Sequence, residues 1–181
     1  IRAGMTSCHQ CDETVPTRVE KIVVPLLLEL VNFSPSATDD ILLGGQGCGE
    51  KQRRPDTMWI GEDRVISVEI DEKGGHPDRE PSCEIDKMQG QAQSLYKLLD
   101  RVVPVYYVRF NPDESDCGTP LATRVARVAS RVNELISMPA EDEGHRHNVF
   151  VEYHYYHSKC IKHIHAVQQA SLSFTVLSPT F

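Results

Sequence analysis

Residues 53–76 read RRPDTMWIGEDRVISVEIDEKGGH and carry the acids Asp56, Glu69 and Asp71. Two apolar runs rich in β-branched residues, 55–60 and 64–71, flank a turn centred between Glu62 and Asp63, the pattern of a β-hairpin. That register sets Ile60 opposite Val65, Met58 opposite Ser67 and Asp56 opposite Glu69, with facing Cβ atoms about 5 Å apart. Alternation places Asp71 on the face of Glu69 and sends Ile66, Val68 and Ile70 to the other, inward face. A slip of one residue would send the acids elsewhere. Carboxylates gathered in this way repel one another and raise their own pKa values. A hard divalent cation, Mg²⁺ or Mn²⁺, removes the conflict. Mg²⁺ takes oxygen ligands, typically one or two carboxylates with waters and phosphate oxygens. The competing reading is a solvated hairpin face with ordinary surface acids.

Such a hairpin needs elements to hold it. Residues 17–31 predict a helix in which Thr17 caps and Glu20 completes a capping box, with Pro25 expected to kink or restart it. Residues 41–43 suggest a short strand ahead of the glycine-rich 44–49. After a loop at 74–81, Ser82 is the expected N-cap of a helix to about residue 99, with Glu84 in its first turn. The nearly unbroken apolar run 102–110 predicts a strand covered on both faces. Residues 121–136 are periodic as a helix, with Val125, Val128, Val132 and Leu135 on one side. A polar loop at 141–147, a hairpin from 149–156 and 161–167, and an edge strand at 171–177 complete the reading. The order predicts an α/β (α+β) domain around a mixed sheet over residues 17–181, preceded by a loose segment, 1–16.

Charge and composition narrow the function. The 181 residues are 40% apolar and 25% charged, as in a globular domain, and the net charge of −7 argues against a protein that coats nucleic acid nonspecifically. No apolar run approaches the roughly 20 residues needed to span a bilayer, so no membrane partner is expected. The dispersed cysteines suit a reducing, intracellular setting, nucleus or cytoplasm.

Other clusters carry possible chemistry. Cys8 and Cys11 have zinc-ligand spacing, and Cys160 with His157, His163 and His165 could supply a second pair for a structural Zn²⁺; a tail with no metal is the alternative. Lys51, Arg53 and Arg54 precede Asp56 and are placed to meet a phosphate backbone. Arg124, Arg127 and Arg131 form a basic stripe on one helix face, readable as a phosphate track or as a solvated surface. The His- and Tyr-rich 147–165 read as a structural or solvent-facing hairpin. Val149, Val151, Tyr153 and Tyr155 would pack on one face and His154 on the other, and the aromatics could also stack on bases.

The ordered set RRPD, VEIDE, a nearby histidine, SCE opening a helix and YVRFNPD closing the next strand resembles the PD-(D/E)XK nuclease superfamily, more narrowly its very-short-patch-repair-like branch found in large DNA viruses and protists. The resemblance covers about residues 48–113, with further support around Glu20. It implies a restriction-endonuclease-like α-β-β-β-α-β core, here with C-terminal helix and hairpin additions, a divalent metal, and hydrolysis of DNA phosphodiester bonds. Asp56 matches the acid of the PD motif and Glu69 that of (D/E)XK, and the Ile70 carbonyl would lie beside the metal. Asp71 stands where many members have lysine, although the branch with EID resembles this chain there. His76 matches the branch histidine with one extra residue of spacing, which makes Lys73 its rival. The metal would polarise the scissile phosphate and lower the pKa of a bound water, while His76 or Lys73 orients that water or stabilises developing charge. Glu84 and Lys87 could point into the same site, Lys87 as a candidate nucleic-acid contact, but a helix-dipole acid and a solvated lysine are the expected roles. The expected protein is therefore a metal-dependent DNA endonuclease. Its alternatives are an inactive nucleic-acid-binding module on the same fold and a zinc-stabilised interaction domain. Oligomeric state is open, a homodimer included.

Overall fold

The computed structural model describes residues 18–38, 55–72, 81–113, 118–139, 149–156 and 174–180. In chain order the elements are α1 (Glu20–Leu30), β1 (Thr57–Ile60), β2 (Val65–Ile70), α2 (Pro81–Leu99), β3 (Val105–Phe110), α3 (Leu121–Ser137), β4 (Val149–His154) and β5 (Phe174–Thr180). The five strands form one mixed sheet in the order β1-β2-β3-β4-β5. β1 and β2 are antiparallel, and every later pair is parallel.

The hairpin register is the one the turn predicts, with Ile60 paired to Val65 and Met58 to Ser67. Parallel strands need a crossover, and α2 supplies it between β2 and β3. Both faces of the sheet are covered. On one, Ile85, Met88, Ala92 and Leu95 of α2 pack on Met58, Val65, Tyr107 and Val151. On the other, Val23, Val24 and Leu27 of α1 and Val125, Val128, Val132 and Leu135 of α3 pack on Ile66, Val68, Val108 and Phe150. All six residues of β2, of β3 and of β4 are buried, which explains their nearly unbroken apolar sequences.

Several local expectations change. α1 begins after Val19 with no side-chain cap, so Glu20 is its first residue and not the third of a capping box; Thr17 lies outside the described residues. The Glu20 amide instead donates to Glu72 Oε1 at 3.2 Å, a cap from a carboxylate distant in sequence. α1 also runs through Pro25. Pro25 faces solvent, where water can satisfy the carbonyl its missing N–H leaves free, while Val23, Val24 and Leu27 anchor the helix on both sides. α2 starts at Pro81, one residue ahead of the expected Ser82 cap.

The C-terminal hairpin is replaced, among the described residues, by parallel pairing. β4 lies between β3 and β5, and residues 161–167 lie outside the described set. The expected edge strand is present as β5, displaced toward the C-terminus and parallel to β4. Nor is the other face of β4 solvated. His154 and Glu152 are buried, with Arg131 Nη2 2.7 Å from Glu152 Oε1 and His154 Nε2 3.1 Å from Glu152 Oε2. Tyr155 leaves the row of Val149, Val151 and Tyr153 because its φ is 61°, a left-handed conformation that resets the alternation. Its ring packs edge-on to Phe110, centroids 6.0 Å apart, in the α1/α3 core. Tyr156 then falls in the α2 core.

Candidate active site

The acids of the hairpin meet where β2 and β3 end. Asp56 lies just before β1, and its Oδ2 accepts a 2.6 Å hydrogen bond from the Ile70 amide, which ties the start of the hairpin to the end of β2. Glu69, on the α2 side of β2, is 8% exposed. Its Oε2 pairs with Lys87 Nζ at 3.0 Å, while its Oε1 is buried with no hydrogen-bond partner among the described residues. The Ile70 side chain packs in the opposite core, so only its main chain borders the acids.

Asp56 carries the electrostatic cost of this gathering. Burial, and then the nearby Glu69 carboxylate, push its pKa up to about 8; the Ile70 amide opposes the shift, while Glu20 and Asp71 add to it. The N-terminus of α1 is thus part of the acidic neighbourhood through Glu20.

Asp71 has a different environment. Arg109, at the end of β3, donates to it from Nε at 2.6 Å and from Nη2 at 2.8 Å, and the Tyr156 hydroxyl also donates to its Oδ2. Burial alone would raise the Asp71 carboxyl, but the Arg109 charge and hydrogen bond, with Lys87 and Tyr156, outweigh it and hold the pKa below the ordinary value. Arg109 also lies 5.7 Å from the Tyr153 ring centroid, and Tyr153 meets Tyr156 edge-on at 5.1 Å. Asp71 is therefore committed to a buried ion pair beside the two acids.

The residues present fit a hard divalent cation. They offer carboxylate oxygens only, one of them buried and unpartnered, and the raised Asp56 is the group a cation would return to its charged form. Among the described residues no group of three or more His, Cys, Asp and Glu side chains could hold a metal ion. A centre here would thus rest on Asp56, Glu69 and main-chain or non-protein oxygens, as Mg²⁺ permits.

The remaining expected site residues divide. Lys87 is a correction: it is not a solvated lysine but is 16% exposed and turned onto Glu69. Arg124 is another. It is buried, and its guanidinium donates to the carbonyls of Asn111, Pro112, Asp113 and Thr119, so it pins the β3–α3 connection and presents nothing to a phosphate. Arg131 is drawn inward to Glu152 and Glu134. Arg127 is exposed and reaches the Tyr155 hydroxyl at 3.4 Å. Lys51, Arg53, Arg54, Lys73, His76, Cys8, Cys11, Cys160, His157, His163 and His165 lie outside the described residues.

Arg109 and Tyr156 were missed as partners of Asp71. The first had a signal, being the one charged residue inside the buried run VYYVRF. The second had none, because its position depends on the left-handed turn at Tyr155. No helix among the described residues is long and apolar enough to cross a membrane. The chain matches no protein-family model, no curated protein and no solved structure.

Proposed function

We propose that this chain is a divalent-metal-dependent DNA endonuclease built on a restriction-endonuclease-like core. The observation that carries the reading is the Asp56–Glu69 pair: two partly or fully buried acids, one with its pKa pushed up to about 8 and the other with an unpartnered inner oxygen. Arrangement supports it. α1 is followed by Ala37, which bridges Met58 antiparallel on the outer side of β1; then come the β1–β2 hairpin, the α2 crossover and β3 parallel to β2. The named elements run α-β-β-α-β, and the isolated Ala37–Met58 bridge lies where a first strand would pair in the α-β-β-β-α-β order that the resemblance implies.

In this reading Asp56 and Glu69 would hold Mg²⁺ or Mn²⁺, which would supply Lewis-acid polarisation of the scissile phosphate. Asp56 holds the end of β2 through the Ile70 amide. Lys87 holds Glu69 through Oε2 and would bring a positive charge beside the acid pair, where it could stabilise developing negative charge. Asp71 acts as a positioning residue that fixes Arg109 and the end of β3 beside the acids. His76 and Lys73 remain proposed partners for the attacking water.

Incubation of the purified chain with plasmid and single-stranded DNA, in Mg²⁺, Mn²⁺ or EDTA, tests the reading. Metal-dependent cleavage is expected. DNA binding without cleavage in any metal would favour an inactive binding module on the same fold, and stoichiometric zinc without DNA affinity an interaction domain.

A further inference from the structure

β4 ends on a strained turn. Tyr155 has a φ of 61°, a left-handed conformation that few residues bearing a Cβ adopt. Neighbours on the α1/α3 side of the sheet hold it there. Asn111 Nδ2 donates to the Tyr155 carbonyl at 3.2 Å, and Arg127 Nη1 reaches the Tyr155 hydroxyl at 3.4 Å. The Arg124 guanidinium lies 5.6 Å from the centre of the Tyr155 ring and 5.9 Å from that of Phe110. Backbone strain held by surrounding contacts is a feature of functional sites, and here it delivers Tyr156.

Had β4 stayed extended, Tyr156 would share the face of His154 and Glu152, away from α2. The turn moves it to the α2 side, where its ring meets Tyr153 edge-on at 5.1 Å and its hydroxyl donates to Asp71 Oδ2. The same oxygen accepts from Arg109 Nε at 2.6 Å, and Asp71 Oδ1 accepts from Arg109 Nη2 at 2.8 Å. Arg109 also pairs in register with Glu69 on the neighbouring strand, so the two side chains leave the sheet on one face, with backbones about 5 Å apart. The guanidinium therefore has two neighbouring carboxylates, Glu69 at its own level and Asp71 two residues further along β2. The Tyr156 hydroxyl fixes the Asp71 carboxylate in the orientation that takes the arginine fork.

We propose that Tyr156 is a positioning residue of the acid site: by holding Asp71 as the partner of Arg109, it keeps the guanidinium from pairing with Glu69. Glu69 then stays available to a divalent cation, which a guanidinium on the same carboxylate would oppose by its charge and by occupying the oxygens. The inference deepens the nuclease reading and rests on it, since the cation site is that of Asp56 and Glu69.

Mn²⁺ titrations followed by EPR, with ¹H–¹⁵N spectra of the arginine side chains, test it on the wild type, Tyr156→Phe and Asn133→Ala. Tyr156→Phe keeps the ring and removes only the hydroxyl. Its Mn²⁺ binding should be about 10-fold weaker, the lower scale for losing a group that supports a metal ligand, and its Arg109 Nε–H resonance should shift. Asn133→Ala removes the hydrogen bonds to Leu30 and Asn32 at the other end of α1 and controls for lost stability alone; it should keep the wild-type affinity. Unchanged affinity in Tyr156→Phe, an unmoved Arg109 resonance, or an equal loss in Asn133→Ala would overturn the inference and leave the cation site standing. A wild-type chain that binds no Mn²⁺ would overturn the cation site itself, and the inference with it.

Discussion

Lys87 Nζ lies 3.0 Å from Glu69 Oε2, joining the first part of the crossover helix to the end of the strand it covers. The contact leaves Glu69 Oε1 without a hydrogen-bond partner among the described residues and sets a positive charge beside the acid pair. Lys87→Met keeps much of the stem while removing the charge. In the proposed nuclease it should lower single-turnover cleavage by about 100-fold or more, the usual scale for a lost electrostatic contact to developing charge. DNA binding should change little. Cleavage measured at saturating Mg²⁺ checks this, and wild-type rates would return Lys87 to a structural role.

Asp56 predicts an inverted pH dependence for the metal-free protein. Its folded pKa is raised to about 8, above the ordinary carboxylate value that holds in the unfolded chain. Between those values the native state keeps a proton that the unfolded chain releases, so stability falls as pH rises through that window. Asp56→Asn retains an acceptor for the Ile70 amide and removes the charge. It should stabilise the metal-free chain by about 1–3 kcal/mol at pH 8 and by little near pH 4. Urea titrations at the two pH values measure the difference.

Asp71 should behave in the opposite sense. Its pKa is held below the ordinary value, so its contribution is present above the unfolded carboxylate pKa and is lost as pH falls through the lower folded value. Asp71→Asn leaves the Arg109 charge without its carboxylate partner and should cost about 3–5 kcal/mol at neutral pH. Tyr156→Phe removes one hydrogen bond to Asp71 and should cost about 1–2 kcal/mol. Equal losses in the two variants would contradict this ranking.

The hairpin was legible because apolar alternation and a short turn leave one register that buries β2, and the acids followed from that register. The strongly periodic α3 was legible for the same kind of reason. Lys87 was not, because a lysine in the second turn of a helix looks solvated until the helix is docked on β2. Arg124 shares its helix face with exposed Arg127, yet the β3–α3 connection wraps its guanidinium in carbonyls. Spacing along one helix cannot reveal that connection. The parallel partner of β4 was hidden too. Local sequence favoured a hairpin, whereas β5 comes from further along the chain and pairs by tertiary packing.

The basic residues separate by the salt dependence of DNA binding. Arg124→Met should destabilise the chain by about 1–3 kcal/mol, since several buried carbonyls lose their donor, without changing the salt slope. If Lys51, Arg53 and Arg54 meet phosphates, neutralising each should reduce the slope by about one unit. Binding isotherms across a salt series measure both effects.

In the proposed nuclease, Asp56 and Glu69 together hold one divalent cation used in cleavage. Titration of Mn²⁺ followed by EPR, with DNA cleavage assayed on the same samples, tests it most directly in the wild type, Asp56→Asn and Glu69→Gln. One bound Mn²⁺ per wild-type chain is expected, with loss of both binding and cleavage in each variant while circular dichroism stays native. Wild-type Mn²⁺ binding or undiminished cleavage in either folded variant would contradict it.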